Sequence, residues 1–143
     1  MRTTLPLLLG AVILINACTT SAKETRYAAD DALLEQSHTA MQQRLDTATA
    51  HFNAFAEKVK KAKPDDPAPR ELERTSIWLG DLESIVASDE RFMAERAAAL
   101  SNDATASEEA FTIRYDELMQ GHDSMVAEFN AIADRLEQRI AGY

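Results

Sequence analysis

The three histidines of this chain, His38, His51 and His122, are its side chains best suited to acid–base or metal chemistry. Helix rise counted from each loop puts His51 on the flank of its helix, near the level of Glu83 and His122. Two imidazoles and a carboxylate can ligate a divalent metal ion, so His51, Glu83 and His122 are weak candidates for a metal site. Counting across loops is less precise than a metal site requires. We therefore expect no metal ion and no other cofactor.

Asp31 and four further polar residues interrupt apolar stripes of helical spacing, and the four form a predicted buried polar seam: His38, Asp89, Arg96 and His122. The same counting places His38 near the level of Arg96, and His122 within a turn or two of Asp89. Polar residues in such positions commonly fix helix register and oligomeric state, so we expect a register role in which leucine would be tolerated or stabilising. A buried ion pair between Asp89 and His122 is the alternative.

Catalytic motifs do not accompany these residues. The stretch EQSH (35–38) contains the Glu-x-x-His element of di-iron helical bundles, but those bundles need a second copy, and the chain has none. The chain also lacks HExxH, GxSxG, a phosphate-binding loop and CxxCH. We therefore expect that the protein is not an enzyme.

Composition limits the remaining classes of function. The chain has 143 residues, 45% of them hydrophobic, with four glycines, four prolines and a formal charge of −9. Such acidity argues against binding nucleic acid. The single cysteine, Cys18, excludes an internal disulfide and a cysteine-based zinc site.

The position of Cys18 suggests why the chain has this one thiol. An apolar run of eleven residues, Leu5–Ile15, follows a short basic start and ends at INAC (15–18). The run is too short to span a bilayer but has the length of a secretory signal core. INAC resembles the lipobox of bacterial lipoprotein signal peptides, with Ile15 as the aliphatic residue, Ala17 before the cleavage site and Cys18 as the lipid acceptor.

This resemblance implies that residues 1–17 are a cleaved signal peptide and that residues 18–26 are a lipidated cysteine with a short tether. Cys18 would carry a diacylglycerol thioether and an amide-linked acyl chain such as palmitate, which together hold a protein on a membrane permanently. Thr19 follows the cysteine where an inner-membrane lipoprotein would carry Asp. The implied location is the periplasmic side of the outer membrane of a Gram-negative cell.

Heptad spacing of apolar residues predicts three long helices in residues 27–143. Steps of three and four run from Tyr27 through five heptads to PDDPAP (64–69), and similar stripes occupy 72–100 and 111–136. We expect helices at about 27–63, 67–100 and 106–141, although SAKE (21–24) allows the first to begin at Ala22. Short loops make neighbouring helices antiparallel, so the predicted fold class is all-α, an up-down-up, coiled-coil-like bundle. Gly121 is expected to mark a bend or a close helix approach.

The function that these features favour is that of a membrane-anchored, non-catalytic helical lipoprotein. It would act as an adaptor, spacer or chaperone-like partner of another envelope protein, and its helical faces leave homo-oligomerisation open. One alternative is an inhibitor or immunity-type lipoprotein that binds a basic partner through its acidic surface. The other alternative is a metal-binding helical bundle.

Overall fold

A computed structural model of the chain describes residues 22–63, 65–102 and 108–143, with side chains for 29–63, 65–98, 113 and 115–143. The predicted signal peptide and Cys18 lie outside the described residues. Three helices make up the fold: α1 Ala22–Val59, α2 Ala68–Asn102 and α3 Glu108–Ala141. Within the described part of the chain, no helix is both long and apolar enough to cross a bilayer.

The three helices form an all-α bundle in which each helix contacts the other two. Side-chain pairs fix the directions. His38 of α1 meets Asp89 of α2, and Asp31, earlier in α1, meets Arg96, later in α2, so these helices are antiparallel. Glu71 at the start of α2 binds Arg139 at the end of α3, which makes these two antiparallel as well. The predicted up-down-up bundle is confirmed.

The helix ends follow local hydrogen bonding. α1 starts at Ala22, the earlier of the two predicted starts, and stops at Val59, four residues before the predicted end. Turn-type bonds from Lys61 to Lys58 (3.0 Å) and from Ala62 to Val59 (2.9 Å) replace the helical pattern there. The α2 start is capped by Asp66, whose carboxylate accepts a 2.9 Å hydrogen bond from the backbone N–H of Ala68.

The apolar core fills the half of the bundle nearest the α1–α2 loop. Its central layer consists of Leu45, Leu82 and Phe129, one from each helix, and all three are buried. Further core residues extend this cluster by steps of three and four: Met41, Ala48, Leu79, Val86, Ala133 and Leu136. The heptad pattern therefore places one residue per helix in each layer, as in a coiled coil.

Gly121 does not mark a close helix approach, so that part of the expectation is wrong, and the bend stays a prediction. The residue is exposed, and a Cβ atom built on it would meet nothing within 4 Å. Among the described residues, no neighbouring helix requires the small side chain at this point.

Candidate functional site

The other half of the bundle contains two polar layers, each built from one residue of every helix. The histidine layer consists of His38, Asp89 and His122, and the arginine layer consists of Asp31, Arg96 and Tyr115. Seven residues separate the two layers on each helix, which is two helical turns. The polar layers therefore continue the same heptad stacking that builds the apolar core.

Asp89 is the centre of the histidine layer and has no solvent exposure. Its Oδ2 lies 2.8 Å from Nδ1 of His38, and its Oδ1 lies 2.7 Å from Nδ1 of His122. Because a carboxylate can only accept, both imidazoles donate through Nδ1. Each carboxylate oxygen thus has an imidazole partner, and the layer ties all three helices to one buried acid.

The two histidines differ in their surroundings. His122 is buried, stacks on Phe92 with ring centroids 5.6 Å apart, and has its Nε2 3.2 Å from the hydroxyl of Ser37. The His38 side chain is 19% exposed, and its Nε2 lies 3.9 Å from a carboxylate oxygen of the exposed Glu90. His122 is therefore enclosed by the bundle, whereas His38 reaches its edge.

The arginine layer is a second chain of polar contacts. Arg96 is 4% exposed and donates hydrogen bonds to Asp31 and, over 3.2 Å, to the Tyr115 hydroxyl. Its guanidinium carbon also lies 5.2 Å from the centroid of the Tyr115 ring. Tyr115 in turn donates to Asp30. Burial, with a smaller contribution from the Asp30 hydrogen bond, raises the pKa of Tyr115 to about 12.

A cavity of about 270 Å³ opens beside this layer, between α1 and α2. Its lining combines two carboxylates, Arg96 and three apolar side chains: Asp31, Glu35, Arg96, Leu34, Met93 and Ala97. The buried Nε of Arg96 has no hydrogen-bond partner among the described residues. A cavity of this size holds several water molecules.

The predicted seam residues Asp89, Arg96 and His122 are buried, but the predicted levels need one correction. His38 meets Asp89 rather than lying at the level of Arg96. Because α1 ends at Val59 instead of residue 63, each α1 residue lies closer to the loop than the count placed it, and it therefore faces an earlier residue of α2. The close pairing of Asp89 with His122 agrees with their predicted proximity and favours a specific hydrogen-bonded pair over a simple register role.

The weak metal candidates are not brought together, so that constellation is wrong. His51 and Glu83 are exposed, and His51 lines a surface pocket with Phe55 and Tyr143 near the end of α3. His51 lies 13 residues beyond His38 on α1, which places it about 20 Å along the axis from the histidine layer that holds His122. Among the described side chains, no group of three histidine, cysteine, aspartate or glutamate residues could hold a metal ion.

Ser37 and Tyr115 have roles in these layers that sequence reasoning did not predict. Tyr115 stands seven residues before His122, so the heptad itself could have placed it beside Arg96. Ser37 lies off the apolar stripe, and nothing in the pattern distinguishes it from other polar residues of α1.

Ser37, His122 and Asp89 follow one another in the hydrogen-bonding order of a serine–histidine–aspartate triad. Such a triad also needs free N–H donors to hold the oxyanion of the intermediate. Ser37 lies inside a continuous helix, in which backbone N–H groups are bonded to carbonyls four residues earlier. The geometry therefore fits a structural hydrogen-bond chain better than an acyl-transfer site.

The chain matches no family model, no curated protein and no solved structure.

Proposed function

We propose that the protein is a lipoprotein of the Gram-negative outer membrane, held on the periplasmic side by lipid on Cys18. The observation that carries this proposal is the cysteine placed directly after an eleven-residue apolar run and a lipobox-like INAC. The start of α1 at Ala22, four residues after Cys18, supports a short tether. The end of the bundle with the polar layers would then stand nearest the membrane.

The role proposed for the anchored bundle is that of a non-catalytic adaptor, spacer or chaperone-like partner for another envelope protein. Two of the three histidines, His38 and His122, bind the buried Asp89 across the helices, which supports a structural use of these groups. Each helix also exposes a large apolar side chain, Leu33, Ile77 or Ile113, with exposures of 60%, 61% and 56%. Exposed apolar side chains of this size are contact points that a partner protein can cover.

The anchor is tested by moving the thiol. In Cys18→Ser, incorporation of a labelled fatty acid should be lost and the protein should leave the outer-membrane fraction. Adding Ser21→Cys to Cys18→Ser restores a thiol three residues away, and this matched control should stay unlabelled because the lipobox spacing is broken. A wild-type protein that takes up no fatty acid would overturn the anchor.

The adaptor role is tested by photo-crosslinking in cells. A photoreactive residue at position 33, 77 or 113 should give at least one discrete adduct with an envelope protein, and that adduct should weaken in Cys18→Ser. The same residue at the exposed polar positions Thr39 and Ser124 is the control. Absence of adducts at all three apolar positions would contradict the role.

A further inference from the structure

The first half of the described part of α1 is attached differently from the second half. Residues 29–40, called the strap below, contain one buried apolar side chain, Leu34. The following residues of the same helix supply four buried apolar side chains: Met41, Leu45, Ala48 and Phe55. Burial of apolar area is the main stabilising contribution, so the strap gains much less from packing than the rest of α1.

Polar links tie the strap to the other two helices. Two of them run to α2, from Asp31 to Arg96 and from His38 to Asp89. Two more run to α3, from Ser37 to His122 and from Asp30 to Tyr115. Hydrogen bonds of this kind are exchanged for bonds with water when a segment opens, and their net contribution is therefore small.

The groups that receive these links also bind each other between α2 and α3. Asp89 keeps a 2.7 Å bond to His122 that does not involve α1. Arg96 keeps Tyr115 as a partner, both through a 3.2 Å hydrogen bond and through the tyrosine ring. The α2–α3 hairpin would therefore retain its polar pairs if the strap left.

We propose that the strap is a releasable segment that closes over a self-sufficient α2–α3 hairpin. Release lets the carboxylates of Asp31 and Asp89 regain water, which offsets the loss of their bonds to Arg96 and His38. A helical segment of this length has marginal stability without tertiary contacts, so the released strap loses its helical hydrogen bonds. The apolar core, which begins at Met41 on α1, stays closed during this opening.

The consequence for the molecule depends on the proposed lipid anchor. Because the strap follows the tether, its release would lengthen the connection between the membrane and the apolar half of the bundle. The strap itself is defined by described residues alone, and its test does not require the anchor.

Native-state hydrogen exchange of the full chain, read by mass spectrometry at low denaturant, tests the strap. Amides of residues 33–40 should exchange at least tenfold faster than those of residues 45–55 of the same helix, and their exchange should depend little on denaturant. Equal rates with equal denaturant dependence in the two segments would overturn the proposal.

Single substitutions distinguish strap release from fraying of a helix end. Ser37→Ala removes one strap link while His122 keeps Asp89, so exchange of residues 33–40 should rise severalfold and that of residues 45–55 should not change. The neighbouring Gln36→Ala is the matched control, because Gln36 is exposed, and it should leave both segments unchanged. If Ser37→Ala and Gln36→Ala give the same rates, the polar links do not hold the strap.

An apolar layer tests the same proposal in the opposite direction. Replacing His38, Asp89 and His122 together by Leu extends the core toward the strap, and exchange of residues 33–40 should then slow at least tenfold toward the rate of residues 45–55. Unchanged strap exchange in a folded triple variant would contradict the proposal. If the triple variant does not fold, the Ser37→Ala and Gln36→Ala pair decides.

Discussion

The carboxylate of Asp89 has no solvent exposure and relies on two imidazoles for its hydrogen bonds. A register role alone would let either histidine be replaced by Leu without loss. The observed geometry reverses that expectation, because each substitution removes the partner of one carboxylate oxygen. Removal of one member of a buried polar pair costs more than replacement of the whole group by apolar residues.

A series of leucine substitutions in the histidine layer should show this reversal. His122→Leu should lower the free energy of unfolding by about 1–3 kcal/mol, since Asp89 keeps only His38. The double variant His38→Leu/His122→Leu should lose about 3–5 kcal/mol, because the carboxylate then has no imidazole partner. Adding Asp89→Leu should restore the stability to the wild-type level or above it.

Urea unfolding midpoints of the four proteins at neutral pH measure this series. A double variant as stable as the wild type would show that Asp89 does not depend on the histidines. A triple variant that is less stable than the double variant would show that pairing among these three side chains does not account for the stability of the layer.

Tyr115 should make stability depend on alkaline pH. Its folded pKa of about 12 exceeds the value of 10.0 for an unperturbed tyrosine, so the folded chain retains a proton that the unfolded chain loses. The neutral phenol of Tyr115 contributes fully to the free energy of unfolding below pH 10. This contribution, at most about 2–3 kcal/mol, is lost as the pH rises from 10 toward 12. The stability difference between wild type and Tyr115→Phe should therefore shrink over that range in urea titrations. A difference that stays constant would contradict burial of the neutral phenol.

At the scale of helices, the periodicity of the sequence was enough to predict three helices, their order and their antiparallel packing. Apolar spacing fixes which face of a helix is buried, and short loops leave few ways to connect long helices. The end of α1 was not predictable from periodicity, because the lysine-rich residues after Val59 are compatible with either helix or turn. That four-residue difference accounts for part of the seven-residue displacement of His38 from the level of Arg96 to that of Asp89.

The candidate site was predictable only in part for the same reason. Polar residues on an apolar stripe can be recognised from spacing, as Asp89, Arg96 and His122 were, and all three are buried. The partner of each polar residue depends on the axial offset between two neighbouring helices. The loops determine this offset, and the heptad pattern does not. The contact of Ser37 with His122 was not predictable, since Ser37 lies off the apolar stripe of α1 and nothing in the pattern distinguishes it from other polar residues there.

Two glycines inside helices provide a test at the element scale. A methyl group added at Gly121 or at Gly80 would meet nothing within 4 Å, so alanine fits both sites without displacing a neighbour. Gly121→Ala and Gly80→Ala should each raise the free energy of unfolding by about 0.8–1 kcal/mol through helix propensity. Thermal unfolding measures the change, and a lower melting temperature in either variant would show that the glycine has a contact outside the bundle.

At the scale of the whole molecule, the bundle has two dissimilar halves. One half is an apolar core near the α1–α2 loop, and the other is held by the histidine and arginine layers at the end where α1 begins. Under the proposed anchor, the polar half stands between the membrane and the apolar core. Under that proposal, location and partner binding depend on lipid attachment at Cys18, whereas release of the strap does not.

The chemical state of residue 18 in protein isolated from native membranes tests this account most directly. Mass spectrometry of the amino-terminal peptide should show a chain that begins at Cys18 and carries a diacylglycerol group on sulfur and an acyl chain on nitrogen. A peptide that still contains residues before Cys18, or one in which Cys18 carries no lipid, would contradict the central claim that the protein is a lipid-anchored envelope module.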